Sequence, residues 1–476
     1  MEKSTFRVRF APAPTGMMHL GNIRTALMNY LIAQQKQGDF ILRIEDTDKE
    51  RNYDPQAIKI QEDLAWLSLS FNEGPNIGGP YGPYFQSERD SIYQEKLKEL
   101  VGAKCAYRCF CKVEDLEKKR QRQIALKQPP RYDRTCYKIS MDESNDRAER
   151  ESFIWRVYLD HTKTVQIKDL AHGVVTFEFK NFSDFPITRE DGSVTFVFAN
   201  FVDDMLMKIS CVIRGEDHLS NTASQVALYQ AFNAPVPIFW HMPILCNIDG
   251  KKLSKRDFGF SLRDLKDEGF LPEAIVNYLA IIGGSFKQEI MPMRELISTI
   301  NFDHISATGQ IRYDVEKLRW VNHKWINLIE EDDLISRCKP YLLESFPLIA
   351  EISEKQLKSI ISKVKTEMVT LKDCMRLLAF YFAEPTYNST HAATFIDKEL
   401  ANTILSMLQN CLIASNAQEC IETFKSQIAI QKISTKQAFM FVRYILTGSE
   451  KGLGISELIE IMPYELFKQR INTFTW

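Results

Sequence analysis

The sequence predicts an α/β protein, a parallel-sheet amino-terminal domain interrupted by an α+β insertion and followed by a helical carboxyl-terminal region. Three observations carry this. Residues 6–44 read strand, helix, strand, an order that implies a parallel pair. Two basic, glycine-containing stretches, Pro12 to Asn22 and Lys251 to Gly259, lie far apart yet share the chemistry of phosphate binding. From about Leu328 onward, apolar residues recur at helical spacing with few strand signals.

At 476 residues the chain is too long for one core, so several domains are expected. Its formal net charge is −2, so a polyanionic partner must meet local basic patches rather than a global excess of Lys and Arg. The longest apolar stretches, such as "AIVNYLAII" from Ala274, fall short of a membrane span, and the amino end has no apolar leader core. A cytoplasmic location without membrane partners is the expectation. Ten scattered cysteines suit reduced thiols and one metal site better than a disulfide framework.

Phe6, Val8 and Phe10 alternate with Arg7 and Arg9, a period-two strand ending at the turn of Pro12, Pro14 and Gly16. Ile23, Ala26, Leu27, Tyr30 and Leu31 then recur at helical spacing, with Gly38 as the stop. A second strand, Phe40 to Ile44, ends in the acidic cluster Glu45, Asp46 and Asp48. His19 and Glu45 thus fall at the carboxyl ends of parallel strands, where ligands of α/β folds bind. His19 stands beside Gly21 where a turn opens the helix, and Lys252, Ser254 and Lys255 lie on a loop bounded by Gly250 and Gly259. The turn lacks the GxGxxG fingerprint of dinucleotide folds. Taken alone, the first stretch reads as a rigid surface turn and the second as a solvated basic loop. Their co-occurrence around one α/β domain points instead to an ATP site.

Between these stretches lie "LRIEDTDKER", "NEGPNIGGPYGPYFQSERDSIY", "FANFVDDMLMKISCVIRGEDHLSNT" and "FWHMPIL". With "RFAPAPTGMMHLGN" before them and "KLSKR" after, the chain resembles the class I aminoacyl-tRNA synthetases, specifically the bacterial or organellar-type glutamyl-tRNA synthetases, over nearly its whole length. The resemblance implies a Rossmann-like catalytic domain in two halves, 1–105 and 191–245, around an acceptor-end-binding insertion at 106–190. It further implies a stem-contact region with the KLSKR loop at 246–327 and an α-helical anticodon-binding region at 328–476. The implied reaction activates L-glutamate with ATP and Mg²⁺, then transfers the glutamyl group to the terminal adenosine of tRNA-Glu. A monomer is the expected form.

By the same resemblance His19 and Lys255 act in catalysis, and His19, Gly21, Lys252, Ser254 and Lys255 bind ATP. Because the substrate's own carboxylate attacks the α-phosphate, the enzyme needs donors and positioning rather than a nucleophilic triad. Arg9 and Arg214 match positions that hold glutamate carboxylates, Glu45 the one that meets the α-ammonium, and Phe196 and Asn200 further substrate-binding positions. Asp217 and His218 are candidates for the tRNA end or the ATP ribose. Ala13 and Phe196 stand where relatives commonly carry serine and tyrosine, so a substrate hydrogen bond is lost or passes to water. The structural alternatives are an ordinary exposed strand arginine for Arg9, an N-cap cluster for Glu45 to Asp48, and a salt bridge for Arg214.

Cys109, Cys111 and Cys136 match the spacing of a zinc site of some relatives. The usual fourth-ligand place holds Lys138, and Tyr132, four residues before Cys136, is the remaining candidate. Two readings stand: bound zinc, or a module held by packing with reduced cysteines. In the stem-contact region Leu318, Trp320, Trp325 and Ile326 read as helix core rather than as base-stacking residues. Glu367 occupies the place where relatives restricted to tRNA-Glu often carry an anticodon-reading arginine, so tRNA-Gln is a second candidate substrate. A glutaminyl-tRNA synthetase, an enzyme acting only on modified tRNA, and a non-catalytic tRNA-binding paralogue remain the alternatives.

Overall fold

The computed structural model describes residues 6–47, 52–254, 256–284, 286–302 and 310–475. The chain divides into two compact units, one of residues 1–264 with 276–315 and the other of 265–275 with 316–476. The domain boundaries drawn from the sequence at 245/246 and 327/328 are distinct from these breaks.

In the first unit, strand Arg7–Phe10, helix Leu20–Gln35 and strand Asp39–Leu42 form the anticipated parallel pair, with Arg7 opposite Asp39 and Phe10 opposite Leu42. The second strand ends two residues before its expected limit; Ile44 continues only as an isolated bridge to Phe85. Gly38 follows the helix as expected, but Gln37 adopts the positive φ of 53°. Glycine at 38 answers a close approach instead, since a Cβ there would lie 2.3 Å from the Phe6 carbonyl oxygen. Ser210 N–H donates to the Arg7 carbonyl (3.0 Å), setting the first strand beside strand Cys211–Gly215.

That strand belongs to a four-stranded sheet in the order Gly173–Glu178, Thr164–Asp169, Ile238–Met242, Cys211–Gly215. The last three run parallel, and the first two form an antiparallel pair. Two strands of the anticipated insertion therefore complete the sheet that also holds Ile238–Met242 and Cys211–Gly215. Helices Phe196–Leu206 and Leu219–Ala231 contribute Phe198, Phe201, Val202, Val226 and Leu228 to the core around Val212 and Phe239.

One reading of the sequence makes Arg9 an ordinary exposed strand residue, yet Arg7 and Arg9 are 6% and 3% exposed. A parallel strand covered on both faces leaves no solvent side. Each guanidinium is accordingly paired: Arg7 with Asp39 (2.6 Å) and Glu73 (2.9 Å), Arg9 with Asp204 (3.0 Å). Arg9 is thus not an ordinary exposed residue.

Among the described residues after Leu328 there are helices and no strands. Local chemistry sets their starts: Ser353, Asp397, Asn416 and Ser434 each cap the helix that follows, at Glu354–Val364, Lys398–Asn410, Ala417–Ile430 and Thr435–Thr447. In helix Val315–Leu328, Leu318 and Ile326 are buried as expected. Trp325 is half-buried, and Trp320 departs from the core reading: it is 38% exposed, with Lys317 Nζ 4.0 Å from its ring centre. The ring offers its face to a lysine of its own helix, so its partner is a cation rather than the core.

Candidate functional site

At the carboxyl ends of the parallel strands opens a cavity of about 380 Å³, lined by Arg9, His19, Gly21, Glu45, Phe196, Asn200, Arg214 and Lys252. Asp217, His218 and Ala13 also line it. A larger cavity of about 700 Å³ beside Met28, Trp240 and Phe286 shares Arg24 with the first but holds none of these side chains. Chemistry rather than size marks the candidate site.

His19 is the N-cap of helix Leu20–Gln35: its Nδ1 accepts from Asn22 N–H (3.3 Å), and Asn22 Oδ1 accepts from His19 N–H (3.3 Å). Burial, followed by the nearby Lys252, lowers the imidazole pKa, so the ring is neutral at pH 7. With Nδ1 accepting, the proton sits on Nε2, which is left to donate. Gly21 makes room for this ring, since a Cβ there would lie 3.0 Å from His19 Cε1.

The two glycine-containing stretches meet. Leu20 N–H donates to the Phe260 carbonyl (3.0 Å), Leu262 N–H donates to the Met18 carbonyl (3.0 Å), and the His19 and Phe260 rings stack at 5.1 Å. On the basic loop, Lys252 Nζ pairs with Asp217 (2.9 Å), an exposed contact available for exchange with a ligand. Ser254 donates from its N–H and hydroxyl to Asp257 (2.8 and 3.0 Å), which pins the loop. Lys255, the second expected catalytic residue, lies outside the described residues, as does Asp48.

Beneath the cavity, the helix Phe196–Leu206 buries Asn200, Asp203 and Asp204 among apolar neighbours. Buried charge is tolerated only when paired, and fully buried Arg43 pairs it: Nη1 with Asp204 (2.6 Å) and Nη2 with Glu45 (3.1 Å). Arg89 Nε holds Asp203 at 2.7 Å. Glu45 also accepts from Asn200 Nδ2 (2.5 Å), and Asn200 Oδ1 accepts from Gln225 (2.7 Å). Burial raises the Glu45 carboxyl pKa despite Arg43, so an arriving ammonium would relieve a strained charge. Glu45 is therefore tied into this cluster and caps no helix among the described residues.

Arg214 differs from its neighbours. Its side chain meets Thr222 and His241, and among the described residues no carboxylate pairs with it. Burial, and then Arg9, lowers its pKa to about 10. It remains charged at pH 7, a buried cation facing a cavity, which excludes the structural salt bridge.

A family model described as tRNA synthetases class I (E and Q), catalytic domain, matches residues 5–320, and one described as anticodon binding domain matches 333–475. The chain is 39% identical over 466 residues to "Glutamate--tRNA ligase 1" of Pseudothermotoga lettingae, covering 96% of both chains. The chain belongs to the glutamate–tRNA ligase family of class I synthetases. A Moorella thermoacetica member is 36% identical, with 98% of this chain and 97% of that one covered. The fold of this synthetase also matches the crystal structure of a glutamate tRNA ligase from Elizabethkingia meningosepticum in complex with its amino acid, with TM-score 0.87, 31% identity and 98% of each chain covered.

Sequence reading of this synthetase missed Arg43, Asp203, Asp204 and Arg89, although a pair of aspartates inside an otherwise apolar helix was a usable signal. In the inserted segment, the Sγ atoms of Cys109, Cys111 and Cys136 lie within 4.8 Å of one another. Tyr132 Oη is 3.3 Å from Cys109 Sγ and 3.6 Å from Cys111 Sγ. Phe110 N–H points at Cys136 Sγ (3.4 Å), a donor suited to a thiolate. Lys138 is exposed, and Glu367 is exposed on a short turn of the helical tail.

Proposed function

We propose that the chain activates L-glutamate with ATP to glutamyl-adenylate and transfers the glutamyl group to the terminal adenosine of tRNA-Glu. The single observation that carries this reading is the charge pattern of the cavity: Arg214, a buried guanidinium without a carboxylate, shares it with Glu45, a carboxylate whose charge burial disfavours. A ligand with a carboxylate and an ammonium completes both. Arg9 and Arg214 receive carboxylates, while Asn200 keeps Glu45 turned to the α-ammonium. Phe196 supplies an apolar wall with no hydroxyl.

The α-carboxylate attacks the α-phosphorus and pyrophosphate leaves, so no protein nucleophile or general base is required. His19 donates from Nε2 to phosphoryl oxygens beside the helix N-terminus, and Lys252 exchanges Asp217 for phosphate. Lys255, by its place in the sequence, adds charge where the pyrophosphate departs. Mg²⁺ arriving with ATP supplies further neutralisation of phosphoryl charge. ATP–pyrophosphate exchange with glutamate, run with and without tRNA, tests this; exchange with glutamine and none with glutamate overturns it.

The cysteine cluster fits zinc: three thiols converge, Tyr132 supplies an oxygen at the fourth side, and a backbone N–H supports one sulfur. Bound zinc would hold the inserted segment together. Elemental analysis is expected to find about one zinc per chain and to lose it in Cys136→Ser. A carboxylate at Glu367, where relatives restricted to tRNA-Glu often carry an arginine, favours acceptance of tRNA-Gln as well, and absence of glutamylation of tRNA-Gln under conditions that saturate tRNA-Glu removes that extension. A cytoplasmic monomer suits this function, and no described helix is long and apolar enough to cross a membrane.

A further inference from the structure

Arg214 is held from behind by a chain of buried polar groups to which the mechanism gives no role. Arg214 Nε donates to His241 Nε2 (3.3 Å), and Nη2 donates to Thr222 Oγ1 (2.7 Å). Thr222 Oγ1 is also 2.9 Å from His241 Nε2, and His241 Nδ1 is 2.6 Å from Asp169 Oδ2. An arginine Nε can only donate, so His241 Nε2 is an acceptor and the imidazole proton sits on Nδ1, donated to Asp169. Burial lowers the His241 pKa, which agrees with a neutral ring.

Asp169 fixes that tautomer from a rigid place. It ends strand Thr164–Asp169, opposite Phe239 of the neighbouring strand. Its Oδ1 accepts from the N–H groups of Ala171 and His172 (both 2.9 Å), and Oδ2 also accepts from His241 N–H (3.1 Å). Asp169, Thr222 and His241 are all buried, and only Thr222 and His241 touch the arginine. The chain occupies the Nε/Nη2 edge of the guanidinium. Nη1 makes no hydrogen bond among the described residues, so the end-on Nη1/Nη2 edge is the one left for a ligand in the cavity.

We propose that Asp169, His241 and Thr222 are positioning residues that lock Arg214 in the orientation required to bind a carboxylate of glutamate. The inference rests on the glutamate reading of the cavity. A bare buried arginine has several rotamers and would spend binding free energy on being ordered; here the orientation is set before the ligand arrives. Purely structural roles for the three residues would instead stabilise the fold without selecting between substrates.

The test is aminoacylation kinetics of the full chain with saturating tRNA-Glu, for Thr222→Val, Thr222→Ser, Asp169→Asn and, as reference, Arg214→Ala. Thr222→Val keeps the shape and removes the acceptor; Asp169→Asn exchanges one acceptor oxygen of a group that accepts four hydrogen bonds for a donor, which disfavours the Nδ1–H tautomer. Both are expected to raise the glutamate KM about tenfold or more with the ATP KM unchanged, and Thr222→Ser to restore most of the loss. A glutamate KM unaltered in Thr222→Val while Arg214→Ala raises it overturns the positioning chain alone. Equal rises in both KM values, or Thr222→Ser behaving as Thr222→Val, also overturn it, because they report general damage or packing. A glutamate KM unaltered in Arg214→Ala overturns the glutamate reading and this inference with it.

Discussion

At the scale of single residues, the candidate site shows which side chains a sequence can and cannot announce. His19, Glu45 and Arg214 stand beside glycines and strand ends, and the structure brings all three to one cavity. Arg43 and Asp204 were not legible, because each is explained only by the other, and they lie on separate elements until the chain folds. The neutral His19, whose Nε2–H has no partner among the described residues, is expected to matter as a donor: His19→Ala should lower kcat about a hundredfold, equivalent to about 3 kcal/mol, with little change in glutamate KM, read from single-turnover adenylate formation. Glu45 gives a pH prediction. Its carboxyl pKa lies above the ordinary 4.5, and only the carboxylate holds an ammonium. Glutamate KM should therefore rise as pH falls through that raised value, a limb that disappears in Glu45→Gln, whose KM is already high at neutral pH. A Glu45→Gln profile identical to that of the wild type assigns the titration elsewhere.

At the scale of elements, what was legible was local. Helix starts in the tail follow from Ser353, Asp397, Asn416 and Ser434 standing one residue before apolar periodicity. Asp397→Ala should accordingly cost about 1 kcal/mol of stability in urea unfolding. The register that places Asp169 beside Phe239, and the burial of both faces of Arg7–Phe10, depend on strands distant in sequence and left no local mark. The helix Phe196–Leu206 is where that non-local requirement is strongest. Burial alone would raise the Asp204 pKa, but Arg9 and Arg43 outweigh it and hold the carboxyl below its ordinary range. A depressed carboxylate contributes stability that is present above its unfolded pKa and is lost as pH falls through the folded one. Asp204→Asn leaves two buried guanidiniums short of a countercharge and should destabilise the protein by about 3–5 kcal/mol in urea unfolding at pH 7. A change below about 1 kcal/mol would show that solvent or neighbouring groups already carry those charges.

At the scale of the whole molecule, the order of signals along the sequence differs from the order of cores. Residues 265–275 belong by packing with 316–476, and 276–315 belong with the first unit, so each unit is built from separated pieces of chain. Composition shifts near Leu328 show where strands give way to helices, but they cannot show which core a helix joins, since that depends on contacts made across the sequence. Asn322 Oδ1, for example, accepts from Leu271 N–H (2.8 Å), while its Nδ2 donates to the Val369 carbonyl (2.6 Å). A fragment beginning at 328 lacks Asn322 and both of those bonds, whereas one spanning 265–476 keeps them. The expected outcome is that the fragment 328–476 is the less stable of the two when both are unfolded in urea. Ligand linkage gives an independent check. A ligand stabilises only the cooperative unit that binds it, by about 2.7 kcal/mol at a hundred times its Kd, and the cavity residues all lie within the first unit. In calorimetry of the full chain, ATP with glutamate should raise the transition that carries the first core and leave the helical-tail transition where it was. A single transition that moves as one would mean that the two cores unfold together, and that the division by packing is not a division in cooperativity.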